Sequence, residues 1–388
     1  MYPNLYYAFK DLFGIEIGFL KMFQSFGFFV AIAFLLAAWT LSKELQRKTG
    51  EGLLKGIPLS RMRGKKPEWK DFLGTTVLGF LLGFKLGLIL SDFDGFLSDT
   101  QGYILSAKGN FITGLLGAGL FIYLRHRDFK KEIQKFPEPQ TVKEIIQPHE
   151  LTGNILMYAA GFGLAGAKLF DALEQPSRFI DDPIGSLLSF SGLTMYGGLI
   201  CGAAGVLWYT TKKGIPWRVM VDAAAPGLML AYGVGRIGCQ VAGDGDWGLV
   251  NLSPKPEALF FLPDWAWAYQ YPGNVLEKGV EIPGCQGPYC FQLAQPVYPT
   301  PLYESVISIA MFFGLWLSRF SFKIPGLLFS VYLIMNGVER FFIEKIRVNA
   351  HYEIFGNQIT QAEIISCLLI VLGVLGIYWL KYSGRAKS

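Results

Sequence analysis

Histidine, cysteine and charge are all scarce in this chain. Its 388 residues contain three histidines, His126, His149 and His351, and five cysteines. No Cys/His spacing of the kind that grips zinc occurs, so neither a metal nor a cofactor is expected. Charged residues make up 17% of the chain, below the roughly 25% of soluble domains. Hydrophobic residues reach 52%, which places the chain in the membrane class rather than among soluble enzymes. A cleavable signal is not expected either. Residues 1–24 begin with aromatics and scatter Lys10, Asp11, Glu16 and Lys21, where a signal needs a basic start, an apolar core and a small-residue cleavage site. The sequence predicts an interfacial arm over residues 1–22, with Tyr2, Tyr6 and Tyr7 at the headgroup level, and a disordered tail is the plainer alternative.

What is present is a series of long apolar runs. Nine windows suit membrane helices, at roughly 23–41, 73–91, 109–125, 151–171, 192–210, 221–243, 302–318, 324–344 and 361–381. The fold class expected is therefore an all-α polytopic integral membrane protein. Lys and Arg concentrate in every second loop: Lys43 to Lys70, Arg125 to Lys143, Lys212 to Arg218, Arg319 and Lys323, then Lys381, Arg385 and Lys387. The loops between them are acidic, with Asp92, Asp94 and Asp99 in one and Asp171, Glu174, Asp181 and Asp182 in the next. By the positive-inside rule the N-terminus lies outside and the C-terminus inside. The net charge of +5 then reflects topology and anionic headgroups, and no nucleic-acid surface is read in it.

The longest external segment, 244–298 (about 55 residues), is rich in Pro and Trp. Cys285 and Cys290, with four residues between them, sit there, so an oxidising setting favours a disulfide over two free thiols. Cys201, Cys239 and Cys367 fall in or beside apolar runs and read as small packing residues.

A repeat recurs at an offset of 83. Leu81, Gly83, Lys85, Leu86, Leu90, Gly109 and Gly114 fall on Leu164, Gly166, Lys168, Leu169, Leu173, Gly192 and Gly197. Gly and Leu coincide easily, so the weight rests on Lys85 and Lys168, each inside an apolar run. A buried lysine ordinarily pairs with an acid.

The stretch "AYGVGRIGCQVAGDGDWG", Ala231 to Gly248, contains G-x-G-x-x-G at Gly233, Gly235 and Gly238. A dinucleotide fingerprint needs a strand before it and an acidic residue about 20 positions on. These glycines instead end an apolar run interrupted by Pro226, so the match is coincidental. The informative residue is Arg236, a permanent cation near the outer end of a membrane helix and flanked by small residues. Such a group faces a cavity or the bundle interior, and its five donors suit a phosphate. A second polar group is "NGVERFFIEKIR", where spacings of three and four set Arg340, Glu344 and Arg347 on one helical face. For Glu344 and Arg347 the alternative is an ion-pair ladder that only anchors the helix.

These motifs carry a resemblance. The chain resembles the prolipoprotein diacylglyceryl transferase family over about residues 150–380. "GRIGCQVAGDGDWG" is similar to that family's Gly-Arg signature with its acidic residue and Trp-Gly. "LTMYGGLICG" is similar to its Gly-Gly-Leu helix start, "YPTPLYES" to its Pro-x-x-Leu-Tyr-Glu segment, "ERFFIEKIR" to its Arg-Phe-x-x-Glu-x-x-Arg segment, and "FGNQIT" to the start of its last helix. The resemblance implies a bacterial inner-membrane enzyme with seven helices, to which one added helix pair would give nine without changing topology. It also implies the boundaries. They are an external arm (1–22), the first helix plus the added pair (23–150), helices with the signature (151–243), the external segment (244–298), and the last three helices with a cytoplasmic tail (299–388).

The implied reaction moves diacylglyceryl from phosphatidylglycerol to the lipobox cysteine of preprolipoproteins, forming a thioether and releasing glycerol 1-phosphate. Arg236 and Arg340 are then the expected catalytic cations, with Tyr196, Asp244 and Asp246 as further catalytic candidates. Gly197, Gly198, Gly235, Tyr303, Glu304, Glu344 and Gln358 are the candidates for substrate binding. The partners expected are phosphatidylglycerol, lipobox segments and membrane lipid. Several positions depart from the family: Tyr196 and Tyr298 stand where it usually has histidine, Cys239 and Ala242 where it has asparagine, and Phe26 where it has tyrosine. The proton acceptor is therefore open. An anionic-lipid transporter, or a homologue that binds lipid or prolipoprotein without transfer, are the alternative functions.

Overall fold

The computed structural model describes residues 1–98, 103–104, 106–189, 194–349, 351–354 and 357–385. Asp99, Gly192, Lys387 and the first two residues of "FGNQIT" lie outside the described residues. In chain order the helices are α1 (Leu5–Phe13), α2 (Ser25–Gly50), α3 (Trp69–Ser91), α4 (Phe93–Ser98), α5 (Phe111–Lys135), α6 (Thr152–Glu174), α7 (Pro176–Asp181), α8 (Pro183–Leu188), α9 (Met195–Lys212), α10 (Trp217–Ala242), α11 (Thr300–Ser318), α12 (Leu327–Glu344) and α13 (Gln361–Arg385). Among the described residues each of the nine apolar runs coincides with a helix of at least 18 residues. Five of these are long and apolar enough to cross a membrane: α2, α3, α6 with the turn before it, α11 and α13. The chain is a helical membrane protein.

The all-α expectation needs one correction. Three two-stranded antiparallel sheets are present: β1 (Ile57–Arg63) with β2 (Gln140–Ile146), β3 (Val280–Glu281) with β4 (Phe291–Gln292), and β5 (His351–Ile354) with β6 (Asn357–Thr360). The first was hidden by charge. "QTVKEII" is rich in β-branched residues but interrupted by Lys143 and Glu144, and it pairs across a long sequence separation with a loop that reads as basic.

The chain divides into two compact units. The first comprises Met1–Lys55, Pro148–Leu156 and Tyr209–Ser388. Its core joins Ala33 of α2, Met229, Leu230 and Val234 of α10, Phe312 and Leu315 of α11, and Leu328 of α12. Small residues set how closely these helices approach: a Cβ at Gly227 would sit 2.6 Å from Thr40 Oγ1, and one at Gly337 would sit 2.7 Å from the Ser366 carbonyl. Helix α10 is 26 residues, about 39 Å at a rise of about 1.5 Å per residue, and carries Pro226 inside it.

One end of this unit is fixed by buried ions. Asp222, fully buried on α10, accepts the N–H groups of Gly326 and Phe329 at 2.8 Å each and so caps α12 from a neighbouring helix. Lys48 of α2 lies 3.8 Å from the same carboxylate. Glu44 of α2 pairs with Arg47 at 2.7 Å and with Arg319 at 2.9 Å.

Over residues 1–22 the chain is ordered, which overturns the alternative of a disordered tail. Asn4 caps α1, Tyr2 N–H donates to the Val241 carbonyl, and Leu12 and Phe13 are exposed. Within residues 244–298 Cys285 and Cys290 form a disulfide.

The second unit, Gly56–Gln147 and Met157–Trp208, holds the repeat. Lys85 Nζ donates to the Tyr103 carbonyl at 3.0 Å and to Ser106 Oγ at 3.3 Å. Lys168 Nζ donates to the Ser186 carbonyl at 2.9 Å and to Ser189 Oγ at 3.1 Å. Tyr103 and Ser186, like Ser106 and Ser189, are 83 positions apart, so the contacts repeat with the sequence. Both ammoniums are met by backbone carbonyls and a serine hydroxyl, and a group with three donors satisfies several acceptors at once. Glycines bring the helices of each pair together. A Cβ at Gly83 would lie 2.2 Å from the Thr113 carbonyl, and one at Gly166 would lie 2.4 Å from that of Gly197.

Asp222→Ala should lower stability by about 1–3 kcal/mol, the cost of orphaning buried donors, read as a lower melting temperature in detergent. An unchanged melting temperature would show that the capping contact is dispensable.

Candidate active site

At the other end of the first unit, three segments bring charge together. The last turns of α10 place Tyr232, Arg236, Cys239 and Gln240 on neighbouring positions of one helical stripe. The start of α11 supplies Glu304, fully buried and three residues after Pro301. The end of α12 supplies Glu339, Arg340 and Glu344, and Arg347 follows just beyond it.

Glu304 is the centre. Its Oε2 faces Arg236 Nε at 2.8 Å and accepts the Tyr232 hydroxyl proton, and its Oε1 accepts from Arg347 Nη1 at 2.7 Å. Arg347 Nη2 donates to Asp246 Oδ1 at 2.8 Å, and Asp246 Oδ2 accepts from Arg236 Nη1. The four groups close a ring of alternating sign: Arg236, Asp246, Arg347, Glu304. Arg340 attaches to it, with Nη1 3.8 Å from Glu304 and Nη2 3.1 Å from Glu344 Oε2. Asn349 holds the other oxygen of Glu344 at 2.6 Å.

The turn after α10 aims Asp246 into this ring. Gly243 (φ 64°) ends α10 in the left-handed region, and Gly245 (φ 100°) reverses the chain between the two aspartates. Thr300 Oγ1 donates to the Asp246 carbonyl at 2.7 Å. Gly248 lies against the backbone of Arg347, where a Cβ would be 2.4 Å from the Ile346 carbonyl. Glycine here is what lets Arg347 reach the ring.

Asp244 and Asp246 lie beyond the end of α10 and titrate in opposite directions. For Asp246 burial opposes ionisation, but Arg236 and Arg347 outweigh it and hold the carboxyl below the usual range. For Asp244 burial dominates and pushes the carboxyl up. Cys239, Asp244 and Asp246 bring a thiol and two carboxylates within 4.8 Å of one another. Both Asp246 oxygens already face guanidiniums, a poor setting for a metal cation.

Of the residues expected from sequence, the ring and its neighbours unite Arg236, Arg340, Asp246, Glu304 and Glu344, with Asp244 accepting the Asp246 N–H at 3.4 Å. Gly235 shares this helix end and has open space where a Cβ would stand. Tyr303 turns aside and donates to the Ala266 carbonyl at 2.9 Å, tying α11 to the segment 244–298. Gln358 is exposed on the β5–β6 hairpin. Tyr196, Gly197 and Gly198 belong to the second unit, on the first turns of α9. Gly197 and Gly198 face α6, at 2.5 and 3.3 Å from its carbonyls by the same measure.

Arg347 and Tyr232 were not singled out as site residues by the sequence. For Arg347 the signal was the spacing of "ERFFIEKIR", but the expected continuous helical face is wrong: α12 stops at Glu344, and Arg347 reaches Glu304 by leaving the helix. Tyr232 sits one turn before Arg236, a spacing that could have flagged it.

Arg347→Ala should cost about 3–5 kcal/mol in unfolding free energy, because it strips a partner from buried Glu304. Arg347→Lys should recover only part, since one ammonium cannot reproduce two guanidinium contacts on different carboxylates. The depressed pKa of Asp246 gives a pH test. Its stabilisation is complete above its unfolded value of about 3.9 and is lost as pH falls through the lower folded value. The melting-temperature gap between wild type and Asp246→Asn should therefore persist in mild acid and close only below about pH 4. A gap that closes between about pH 5 and 7 would contradict this pairing.

Comparison with known proteins places this constellation. The family model described as prolipoprotein diacylglyceryl transferase matches residues 110–379. A phosphatidylglycerol–prolipoprotein diacylglyceryl transferase of Bifidobacterium adolescentis is 26% identical over 61% of this chain and 67% of its own. One of Shouchella clausii is 27% identical over 60% of this chain and 78% of its own. One of Leptospira interrogans is 25% identical over 84% of this chain and 72% of its own. With more than half of its length matched, including every residue of the ring, the chain belongs to the prolipoprotein diacylglyceryl transferase family.

Proposed function

We propose that this protein transfers the diacylglyceryl group of phosphatidylglycerol to the lipobox cysteine of preprolipoproteins, as a multi-pass protein of the bacterial inner membrane. The observation that carries this reading is the buried ring of Arg236, Asp246, Arg347 and Glu304 with Arg340 at its edge. The family names supply the reaction class, and the ring supplies the chemistry it needs.

The reaction is a displacement at carbon. A thiol attacks the glycerol carbon bonded to phosphate, a thioether forms, and glycerol 1-phosphate leaves. Negative charge gathers on the leaving phosphate. Arg236 and Arg340, fixed before reaction by Glu304 and Glu344, stabilise that charge without reorganising. Asp246 is the ring's most exposed carboxylate, with 37% of its side chain accessible and glycines nearby in its turn. It is the partner a phosphate most readily displaces.

The topology proposed is nine spans with the N-terminus outside. Within the first unit, α2, α11 and α13 run opposite to α10 and α12, as the pairing of Phe26 with Gly238 and of Ser330 with Gly373 requires. That alternation suits an even number of crossings between α2 and α10, and four long helices lie between them in sequence.

The test is transfer of labelled diacylglyceryl from phosphatidylglycerol vesicles to a lipobox peptide by the purified protein. Wild type should give thioether product, and Arg236→Ala and Arg340→Ala should each lose about 100-fold or more. Movement of unmodified lipid without thioether would support a transporter. Lipid binding with neither outcome would leave a binding homologue.

A further inference from the structure

Transfer to a thiol needs somewhere for its proton to go. At an unperturbed pKa of about 8.5 a cysteine is only a few per cent ionised at neutral pH, and a placed base is worth about 10² to 10⁴ in rate. The chain has no histidine within the ring.

Three carboxylates there are already committed. Asp246 and Glu304 each bridge two arginines, and Glu344 is held by Arg340 and Asn349. Taking a proton at any of them would break an ion pair. Glu339 differs. It is 5% exposed, and among the described residues neither of its carboxylate oxygens has a hydrogen-bond partner. A buried carboxylate without donors is costly, and such orphans call for an explanation in function.

The groups in electrostatic reach of Glu339 are those of the ring: Arg340 on its own helix, Glu304 of α11, Arg236 and Tyr232 of α10, and Arg347 beyond α12. Where α13 packs on this stretch, at Gly337, it presents the Ser366 carbonyl and Ile370. The arginines of the ring and its edge are matched by Asp246, Glu304 and Glu344; of the two acids beside them, Asp244 accepts the Asp246 N–H at 3.4 Å, whereas Glu339 has no donor among the described residues.

We propose that Glu339 accepts the thiol proton of the substrate cysteine, an assignment that rests on the diacylglyceryl-transfer reading above. The S–H bond breaks and its proton passes to a Glu339 oxygen. The sulfur electron pair forms the S–C bond, and the C–O bond to phosphate breaks with its electron pair staying on the phosphate oxygen beside Arg236 and Arg340. Glu339 then returns the proton to the departing glycerol 1-phosphate, which regenerates the carboxylate.

The experiment uses the full chain with phosphatidylglycerol vesicles and two lipobox peptides, one with cysteine and one with selenocysteine, whose selenol is ionised at neutral pH. Glu339→Gln should lose about 100-fold or more on the cysteine peptide but stay within about tenfold of wild type on the selenocysteine peptide. Its residual rate on cysteine should climb with pH toward the thiol pKa. Glu339→Asp, which keeps a carboxylate, should retain part of the activity and the wild-type pH profile, and it carries the test if Gln disturbs folding. Equal losses on both peptides, or no loss on cysteine, would overturn the assignment. Wild type that makes no thioether on either peptide would overturn the transfer reading, and this one with it.

Discussion

Glu304 has no access to solvent, yet it carries a charge that three arginines and a tyrosine converge upon. Each arginine keeps its charge at that depth, so without Glu304 buried cations would stand unpaired. The helices must therefore meet where they do. α10 contributes Arg236, α11 Glu304, α12 Arg340, and the turns after α10 and α12 contribute Asp246 and Arg347. The glycines of the signature follow from the same demand, since Gly248 lets the Ile346 carbonyl approach at a distance a side chain would forbid, and Gly238 leaves little room beside Phe26 and Phe29.

Much of this was legible in the sequence because it depends on local composition. Nine apolar runs mark nine long helices among the described residues, and isolated charges at Arg236 and Arg340 mark the charged cluster. Glu304 and Glu344 were likewise visible as acids beside membrane arginines. What was not legible depends on where the chain turns. Arg347 enters the ring only because α12 ends at Glu344, and no hydrophobic period records that ending. The β1–β2 pairing was hidden for a related reason, since a strand pair closed over a long separation leaves little trace within either strand. Glu339 stands in the same stretch as Arg340, Glu344 and Arg347, but nothing in the spacing tells that it alone of these is left without a partner in the fold.

The repeat gives a second view of sequence and structure. Matching glycines and leucines are weak signs in a membrane chain, but Lys85 and Lys168 donate to carbonyls and serine hydroxyls at matching offsets. A shared hydrogen-bond pattern is harder to reach by chance than shared composition. The family match begins at residue 110, on α5, upstream of the residue 150 at which the resemblance was first drawn. The two helix pairs are thus built alike down to the lysine contacts.

Helix α12 is held at both ends by its neighbours. Its first turn hangs from Asp222 of α10, and its last residues are tied through Glu304 and Asp246 to Arg236 of the same helix. A rod pinned at two points to one support can neither slide nor swing without breaking buried charge contacts. The pair α10–α12 is then the anvil of this unit. Any rearrangement of the ring therefore falls to the turns that follow these two helices and carry Asp246 and Arg347, rather than to the helices themselves.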